Sequence, residues 1–276
     1  MPTSPAPPAP AARPAEARPA EARPRRRGGP LRRARLAAAR LYSRLLMHHP
    51  PTDWAAPRAD GRYGPAAPAD DRPLTLLMLG DSLAQSLGAS RAEETLGARL
   101  ALALGEHLDR PVDLRVLARV GATTTDVRRQ VARSARLRPG IAVLIVGGND
   151  VLLPLPVGRS ARRFAHLVRA LAEAGWQLVV VPCPDLGHAP GFRAPARWVG
   201  ARRSRRLARL QSRAAERVGA VPAPSGGPEF RARAGELLGP DGVHPSPQGY
   251  AEHAARMVPG LVTAAGRPGR TDPVTA

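Results

Sequence analysis

The chain has 276 residues, which is enough for one domain of about 200 residues with a proper core and an additional tail or linker. Aromatic residues make up only 3%, so the core must be built mainly from Leu, Val and Ala, a composition that suits layered α/β packing. The formal net charge is +20, and all 42 basic residues are Arg, a pattern typical of a high-GC genome. We therefore expect no specific nucleic-acid partner, although such a charge attracts polyanions nonspecifically.

Cysteine content and hydropathy exclude further classes of protein. Cys183 is the sole cysteine, which excludes an intramolecular disulfide and a cysteine-based metal cluster. The sequence lacks a run of about 18 apolar residues and lacks the apolar centre of a secretory signal near its N-terminus. We therefore expect a cytoplasmic protein without a membrane span.

Residues 1–71 are predicted to be an arm outside the folded domain. The first 30 or so are a Pro/Ala/Arg tract in which PAEAR occurs at 14–18 and again at 19–23, and such a tract buries too little apolar surface to become ordered. Residues 31–47 have the spacing of a short basic amphipathic helix. This helix either docks on the domain or makes weak electrostatic contact with an anionic membrane through residues 31–46. Residues 48–71 are predicted to be an irregular linker.

After Arg72 the sequence alternates between strands and helices. Apolar runs predict strands at 74–79, 112–118, 141–146 and 177–182, and helical spacing predicts helices over 91–107, 125–135, 159–174 and 196–218. A last helix is expected after Ser246, a suitable N-cap, with Pro247 in its first position. Because the strands are apolar on both faces, we expect an α/β fold: a three-layer α/β/α sandwich with a parallel sheet. Its predicted range is 72–265, followed by a flexible tail at 266–276.

Three of the predicted strands are followed by turns of unusual composition, and parallel strands bring their carboxyl ends to one rim of the sheet. The turns are Gly80-Asp81-Ser82, Gly121-Ala122-Thr123 and Gly147-Gly148-Asn149-Asp150. A serine hydroxyl needs a base to act as a nucleophile, and the best-placed histidine is His244, just before the last helix. Asp241 lies three residues earlier, where it can accept the Nδ1–H of the imidazole and leave Nε2 free to take the serine proton.

These blocks, in this order, resemble the SGNH or GDSL hydrolase family. The resemblance rests on Gly80-Asp81-Ser82-Leu83, Gly121, Gly147-Gly148-Asn149-Asp150 and Asp241-Gly242-Val243-His244. It implies a flavodoxin-like fold and a catalytic triad of Ser82, His244 and Asp241. It also implies an oxyanion hole formed by the backbone N–H groups of Ser82 and Gly121 and by the side chain of Asn149, with Gly121 marked only by its place after the second strand.

The resulting expectation is a serine esterase, of carboxylesterase or lipase type, that works through an acyl-enzyme on Ser82 without a metal or organic cofactor. Its substrate would be a small-molecule, lipid or carbohydrate ester. An acyltransferase or thioesterase on the same fold remains an alternative. So does a binding protein tethered to anionic surfaces by residues 1–46, which hold 11 Arg and 2 Glu for a net charge of +9.

Four polar residues near the predicted rim have other interpretations. Asp81 and Asp150 are interpreted as structural acceptors for turn N–H groups rather than as catalytic acids. Asp185 and His188, after the fourth strand, either shape a turn or line the pocket.

The sequence lacks the G-x-S-x-G elbow of the α/β-hydrolases, and no G-x-G-x-x-G follows the first strand, so neither that fold nor a dinucleotide site is supported.

Overall fold

The computed structural model describes residues 44–51, 53, 55–66, 72–153, 155–224 and 228–267. The predicted disordered tract, residues 31–43 of the predicted basic helix and most of the predicted tail lie outside the described residues. Within the helix prediction, residues 44–46 are helical. No helix in the described ranges is long and apolar enough to cross a bilayer.

A six-stranded sheet forms the centre of the fold. The strands are β1 (Gly61–Tyr63), β2 (Leu74–Gly80), β3 (Val112–Val116), β4 (Ile141–Ile145), β5 (Gln177–Val181) and β6 (Val221–Pro222). They are arranged in the order β1-β3-β2-β4-β5-β6, with β1 antiparallel to β3 and all other pairs parallel. The five parallel strands, β2 to β6, lie in the order β3-β2-β4-β5-β6. Renumbered from 1 to 5 along the chain, this order is 2-1-3-4-5, which is the flavodoxin-like arrangement.

Helices cover both faces of the sheet. They are α1 (Ser82–Gln85), α2 (Leu96–Leu108), α3 (Thr124–Ser134), α4 (Gly148–Leu152), α5 (Val157–Glu173), α6 (Ala194–Glu216), α7 (Pro228–Ala232), α8 (Ala234–Leu237) and α9 (Pro247–Ala265). Short 3₁₀ turns lie at Ala92–Glu94 and Leu186–His188. The predicted N-cap of the last helix is confirmed, since the Ser246 hydroxyl accepts the Gly249 N–H at 3.0 Å.

The sheet has an apolar core on each face, and the side chains of β2 point alternately into one and the other. Leu76 and Met78 point into the layer of α2 and α9, whereas Leu77 and Leu79 point into the layer of α3, α5 and α6. Successive strand side chains lie on opposite faces, and all four are fully buried, so the sheet is covered on both sides. The three-layer α/β/α prediction is confirmed.

Three features differ from the sequence-based expectation. The expected irregular linker contains β1, an edge strand of three residues whose Arg62 pairs with Asp113 of β3 at 2.9 Å. β6 has two residues, one of them Pro222, and was not predicted because it is too short to show a pattern. The helix expected from residue 91 begins at Leu96, because Thr95 caps it by accepting the Ala98 N–H.

The site lies where the strand order reverses. After β2 the chain crosses to β3 on one side of it, and it then returns to β4 on the other side. At such a switch point the connections diverge and leave a crevice at the carboxyl ends of the strands. The turns after β2 and β4 are neighbours there, as the hydrogen bond from the Asp81 N–H to the Ile145 carbonyl shows.

Candidate active site

Three side chains from two distant parts of the chain form a relay at this crevice. The Ser82 Oγ lies 2.8 Å from His244 Nε2, and His244 Nδ1 lies 2.6 Å from Asp241 Oδ2. Ser82 and His244 are 162 residues apart in the sequence. The structure therefore brings together the hydroxyl, imidazole and carboxylate that the sequence analysis singled out.

The backbone around β2 places Ser82 at the start of α1. Gly80 has φ +134°, and a Cβ atom there would overlap the Ile145 carbonyl, so a glycine is required at the end of the strand. Both backbone groups of Gly80 pair with the side-chain amide of Gln130, at 2.7 and 2.8 Å. Asp81 then accepts the Leu83 N–H at 3.1 Å and turns the chain into the helix.

The histidine loop is organised by Asp241. Its Oδ1 accepts the backbone N–H groups of Val243 and His244, each at 2.9 Å, while its Oδ2 faces the imidazole. A carboxylate can only accept here, so Nδ1 of His244 carries the proton and Nε2 is left as the acceptor for the serine hydroxyl. Gly242 has φ +65° and packs against Gly191, which keeps the loop tight.

The surroundings of Asp241 keep its carboxylate charged. Burial alone would raise the pKa of Asp241, but the hydrogen bond and charge of His244, together with two backbone N–H donors, lower it below its usual value. A buried carboxylate that stays ionised stabilises the imidazolium that forms when His244 takes a proton.

Asp81 has a different electrostatic character. Burial raises the pKa of Asp81 to about 7, and the like charge of Asp150 raises it as well. The hydrogen bond from the Leu83 N–H and the charge of His244 lower the pKa and offset part of this rise. Asp150 is also buried, and its Oδ2 accepts the Thr124 N–H at 2.8 Å. The two carboxyl groups accept backbone N–H groups at the starts of α1 and α3, in agreement with their interpretation as structural acceptors.

The glycine turn after β3 contacts the asparagine that follows β4. Ala122 N–H donates to the Arg119 carbonyl at 3.0 Å, and Gly121 has φ +77°. The Asn149 side-chain amide donates to the Ala122 carbonyl at 3.0 Å, so the asparagine and the glycine turn are direct neighbours. Within the described ranges, the backbone N–H groups of Ser82 and Gly121 have no hydrogen-bond acceptor.

Asp185 and His188 lie after β5 in a tight turn. Asp185 accepts the Gly187 N–H at 2.9 Å and pairs with Arg205 at 3.0 Å, while His188 Nδ1 is 3.8 Å from the carboxylate. These contacts shape the turn, and a pocket-lining role for either residue stays a prediction.

Sequence reasoning missed the residues that support the relay. Gln85, Gln130 and Tyr250 bind backbone groups that are 35, 50 and 163 residues away, respectively. A polar residue in a helix carries no local sign of the distant backbone group that it will meet. Only the juxtaposition of the elements reveals these contacts.

Comparison with known proteins agrees with this geometry. Residues 78–252, a range that includes all four blocks, match the family described as GDSL-like lipase/acylhydrolase. The chain belongs to this family. It is also similar to a GDSL-like esterase of Mycobacterium tuberculosis, with 37% identity over 212 residues that cover 71% of this chain and 67% of the relative.

Solved structures of the same fold extend the comparison. The psychrotrophic esterase EstA from Pseudoalteromonas sp. has a TM-score of 0.55 at 20% identity and covers 70% of this chain and 99% of its own. LAE5, an α/β hydrolase enzyme from the Lake Arreo metagenome, has a TM-score of 0.58 at 18% identity and covers 71% of this chain and 98% of its own. These two likenesses bear on the fold alone. Family membership makes the chain an enzyme that hydrolyses ester bonds.

Proposed function

We propose that this protein is a serine esterase that hydrolyses a carboxylic ester through an acyl-enzyme on Ser82. His244 is the general base and Asp241 is the acid that orients it. The observation that carries the proposal is the unbroken relay from Ser82 Oγ to His244 Nε2, at 2.8 Å, and from His244 Nδ1 to Asp241 Oδ2, at 2.6 Å. Both distances are within the range for direct proton transfer.

In the acylation half, Ser82 Oγ attacks the carbonyl carbon of the ester as its proton passes to His244 Nε2. The carbonyl π bond opens, and the oxygen becomes an oxyanion. When the tetrahedral intermediate collapses, the bond to the alcohol oxygen breaks and His244 returns the proton to that leaving alkoxide. Asp241 stabilises the imidazolium throughout.

The proposed oxyanion donors are the N–H groups of Ser82 and Gly121 and the Nδ2 amide of Asn149. Nδ2 carries two hydrogens, and the bond to the Ala122 carbonyl uses one of them. The other is free to donate to a substrate. Donors of this kind contribute about 3–4 kcal/mol each when they are aimed at the developing charge.

In the deacylation half, His244 takes a proton from water, and the resulting hydroxide attacks the acyl-serine. Ser82 leaves as the alcohol and recovers its proton from His244. An acceptor alcohol in place of water would give acyl transfer, and a thiol leaving group would give thioester hydrolysis, so both alternatives use the same residues. The proposed substrates are small-molecule, lipid or carbohydrate esters.

The cytoplasmic location and the role of the basic arm stay sequence-based predictions. The predicted basic helix either docks on the domain or contacts an anionic membrane through residues 31–46, and tethering of a binding protein by residues 1–46 stays the alternative. Residues 31–43 lie outside the described part of the chain.

The test of the proposed function is Ser82→Ala, assayed on p-nitrophenyl acetate and p-nitrophenyl butyrate. Loss of the nucleophile is expected to lower kcat by about 10⁴-fold or more with an unchanged thermal melt. An aryl alkylphosphonate should add one phosphonyl group to the wild type and none to the variant, as seen by intact mass. Exposed Ser90 offers the matched control Ser90→Ala, which should behave as the wild type. Turnover or phosphonylation that survives in Ser82→Ala would refute the assignment.

A further inference from the structure

Gln85 connects the helix of the proposed nucleophile to the glycine turn. It is the last residue of α1, which begins at Ser82, and its side-chain oxygen accepts the Val120 N–H at 2.6 Å. The donor is a backbone N–H, so the acceptor must be the oxygen of the amide and not its nitrogen. Val120 directly precedes Gly121, the proposed donor.

The turn that carries Gly121 has a conformation in which peptide orientation matters. The Ala122 N–H donates to the Arg119 carbonyl, which closes a four-residue turn. Val120 and Gly121 are the two central residues of this turn. Gly121 has φ +77° and Val120 does not have a positive φ, which is the pattern of a type II turn. A type I turn with the same ends has its central peptide flipped, and that peptide contains the Gly121 N–H. The direction of this N–H is therefore decided by the choice between the two turn types.

Two side chains hold the turn on either side of its central peptide. Gln85 binds the N–H of Val120, and Asn149 binds the carbonyl of Ala122 at 3.0 Å. The peptide between them keeps its own N–H unbonded within the described residues. A Cβ on Gly121 would meet nothing within 4 Å, so the turn is open on that side.

We propose that Gln85 is a positioning residue for ester hydrolysis, which keeps the Gly121 N–H aimed at the site by bonding the Val120 N–H. The inference rests on the proposed function, because it assigns Gly121 to the oxyanion hole. It goes further because one side chain from the Ser82 helix fixes the position of the Gly121 N–H relative to the Ser82 N–H. Because the oxyanion exists only in the transition state and the intermediate, Gln85 should affect kcat and leave KM nearly unchanged.

The test uses Gln85→Met, which is close in size and lacks the acceptor, and Gln85→Asn, which keeps the amide but withdraws it by one methylene. We expect kcat for p-nitrophenyl acetate to fall about tenfold in both variants, with KM within about twofold of the wild type. The rate of phosphonylation of Ser82 should fall by the same factor, because that reaction also passes through an oxyanion. Hydrogen exchange of the Val120 amide should become faster by at least about tenfold.

Ser204→Ala is the matched structural control. The Ser204 hydroxyl also accepts one backbone N–H, that of Leu186 at 3.2 Å, at a buried position on α6. The Ser204→Ala substitution should lower the melting temperature and leave kcat and the phosphonylation rate near those of the wild type. If Gln85→Asn and Gln85→Met speed Val120 exchange but keep wild-type kcat, or if KM rises in place of the fall in kcat, the positioning role is overturned.

Failure of the proposed function would look different. In that case the wild type and Ser82→Ala would turn over the ester equally, whatever residue 85 is. Exchange of the Val120 amide needs no turnover, so it reports on the Gln85 bond in both situations.

Discussion

The Tyr250 hydroxyl donates a hydrogen bond to the Leu87 carbonyl at 2.7 Å, inside the protein. Tyr250 is a fully buried residue of α9, and Leu87 follows the short helix that begins at Ser82. The adjacent Gly88 packs so closely on the Pro245 carbonyl that a Cβ there would overlap it. The bond therefore ties together the two segments that carry the hydroxyl and the imidazole of the relay.

Tyr250→Phe should destabilise the protein by about 1–3 kcal/mol, because the Leu87 carbonyl loses its donor where water has no access. Urea unfolding followed by circular dichroism measures this change. The control is Tyr63→Phe, which removes a similar bond to the Ala59 carbonyl, at 2.8 Å, in a partly exposed place at the edge of the sheet. A larger loss in Tyr63→Phe than in Tyr250→Phe would contradict the importance of the buried bond.

Asp241→Asn should lower kcat by about 10⁴-fold with little change in KM, because an amide that donates to the imidazole favours the wrong tautomer. The neutral side chain also gives no charge to stabilise the imidazolium. Steady-state kinetics on p-nitrophenyl butyrate measures the effect. Asp113→Asn removes a carboxylate that pairs with Arg62 at the sheet edge, and it should keep wild-type kinetics. Equal activity of the two variants would argue against a role for Asp241 in the relay.

His253 is expected to make stability depend on pH. It is buried in α9, its ring lies 4.3 Å from that of Phe230, and burial lowers the pKa of His253 to about 4. Because the folded pKa lies below the unfolded one, the neutral form is favoured by folding. This contribution is complete above the unfolded pKa of 6.5 and is lost as the pH falls toward about 4.

His253→Phe should therefore weaken the loss of stability on acidification. The wild type is expected to lose about 2 kcal/mol through His253 between pH 6.5 and about pH 5, and the variant should lack this part. Unfolding in urea at several pH values gives the difference. His107→Gln, at an exposed helix position, serves as the control and should keep the wild-type slope. A slope in His253→Phe equal to that of the wild type would show that His253 does not titrate as expected.

Most of the fold could be predicted because its elements have local signatures. The apolar run that became β2 and the Ser246-Pro247 pair that starts α9 are readable from neighbouring residues alone. β1 and β6 could not be predicted in this way. A three-residue strand gains its stability from the ladder that it joins, here with β3, and three residues are too few for a pattern to be recognised in the sequence.

The sequence by itself determined the strand-helix alternation and the serine, histidine and aspartate candidates, because periodicity and motif spacing are properties of neighbouring residues. Only the tertiary structure decided that Ser82 and His244 lie in hydrogen-bond contact and that Gln85 holds the turn of Gly121. Contacts between residues far apart in the chain depend on how the strands are ordered around β2. That order depends on how all the strands and their covering helices pack together, which no single segment encodes.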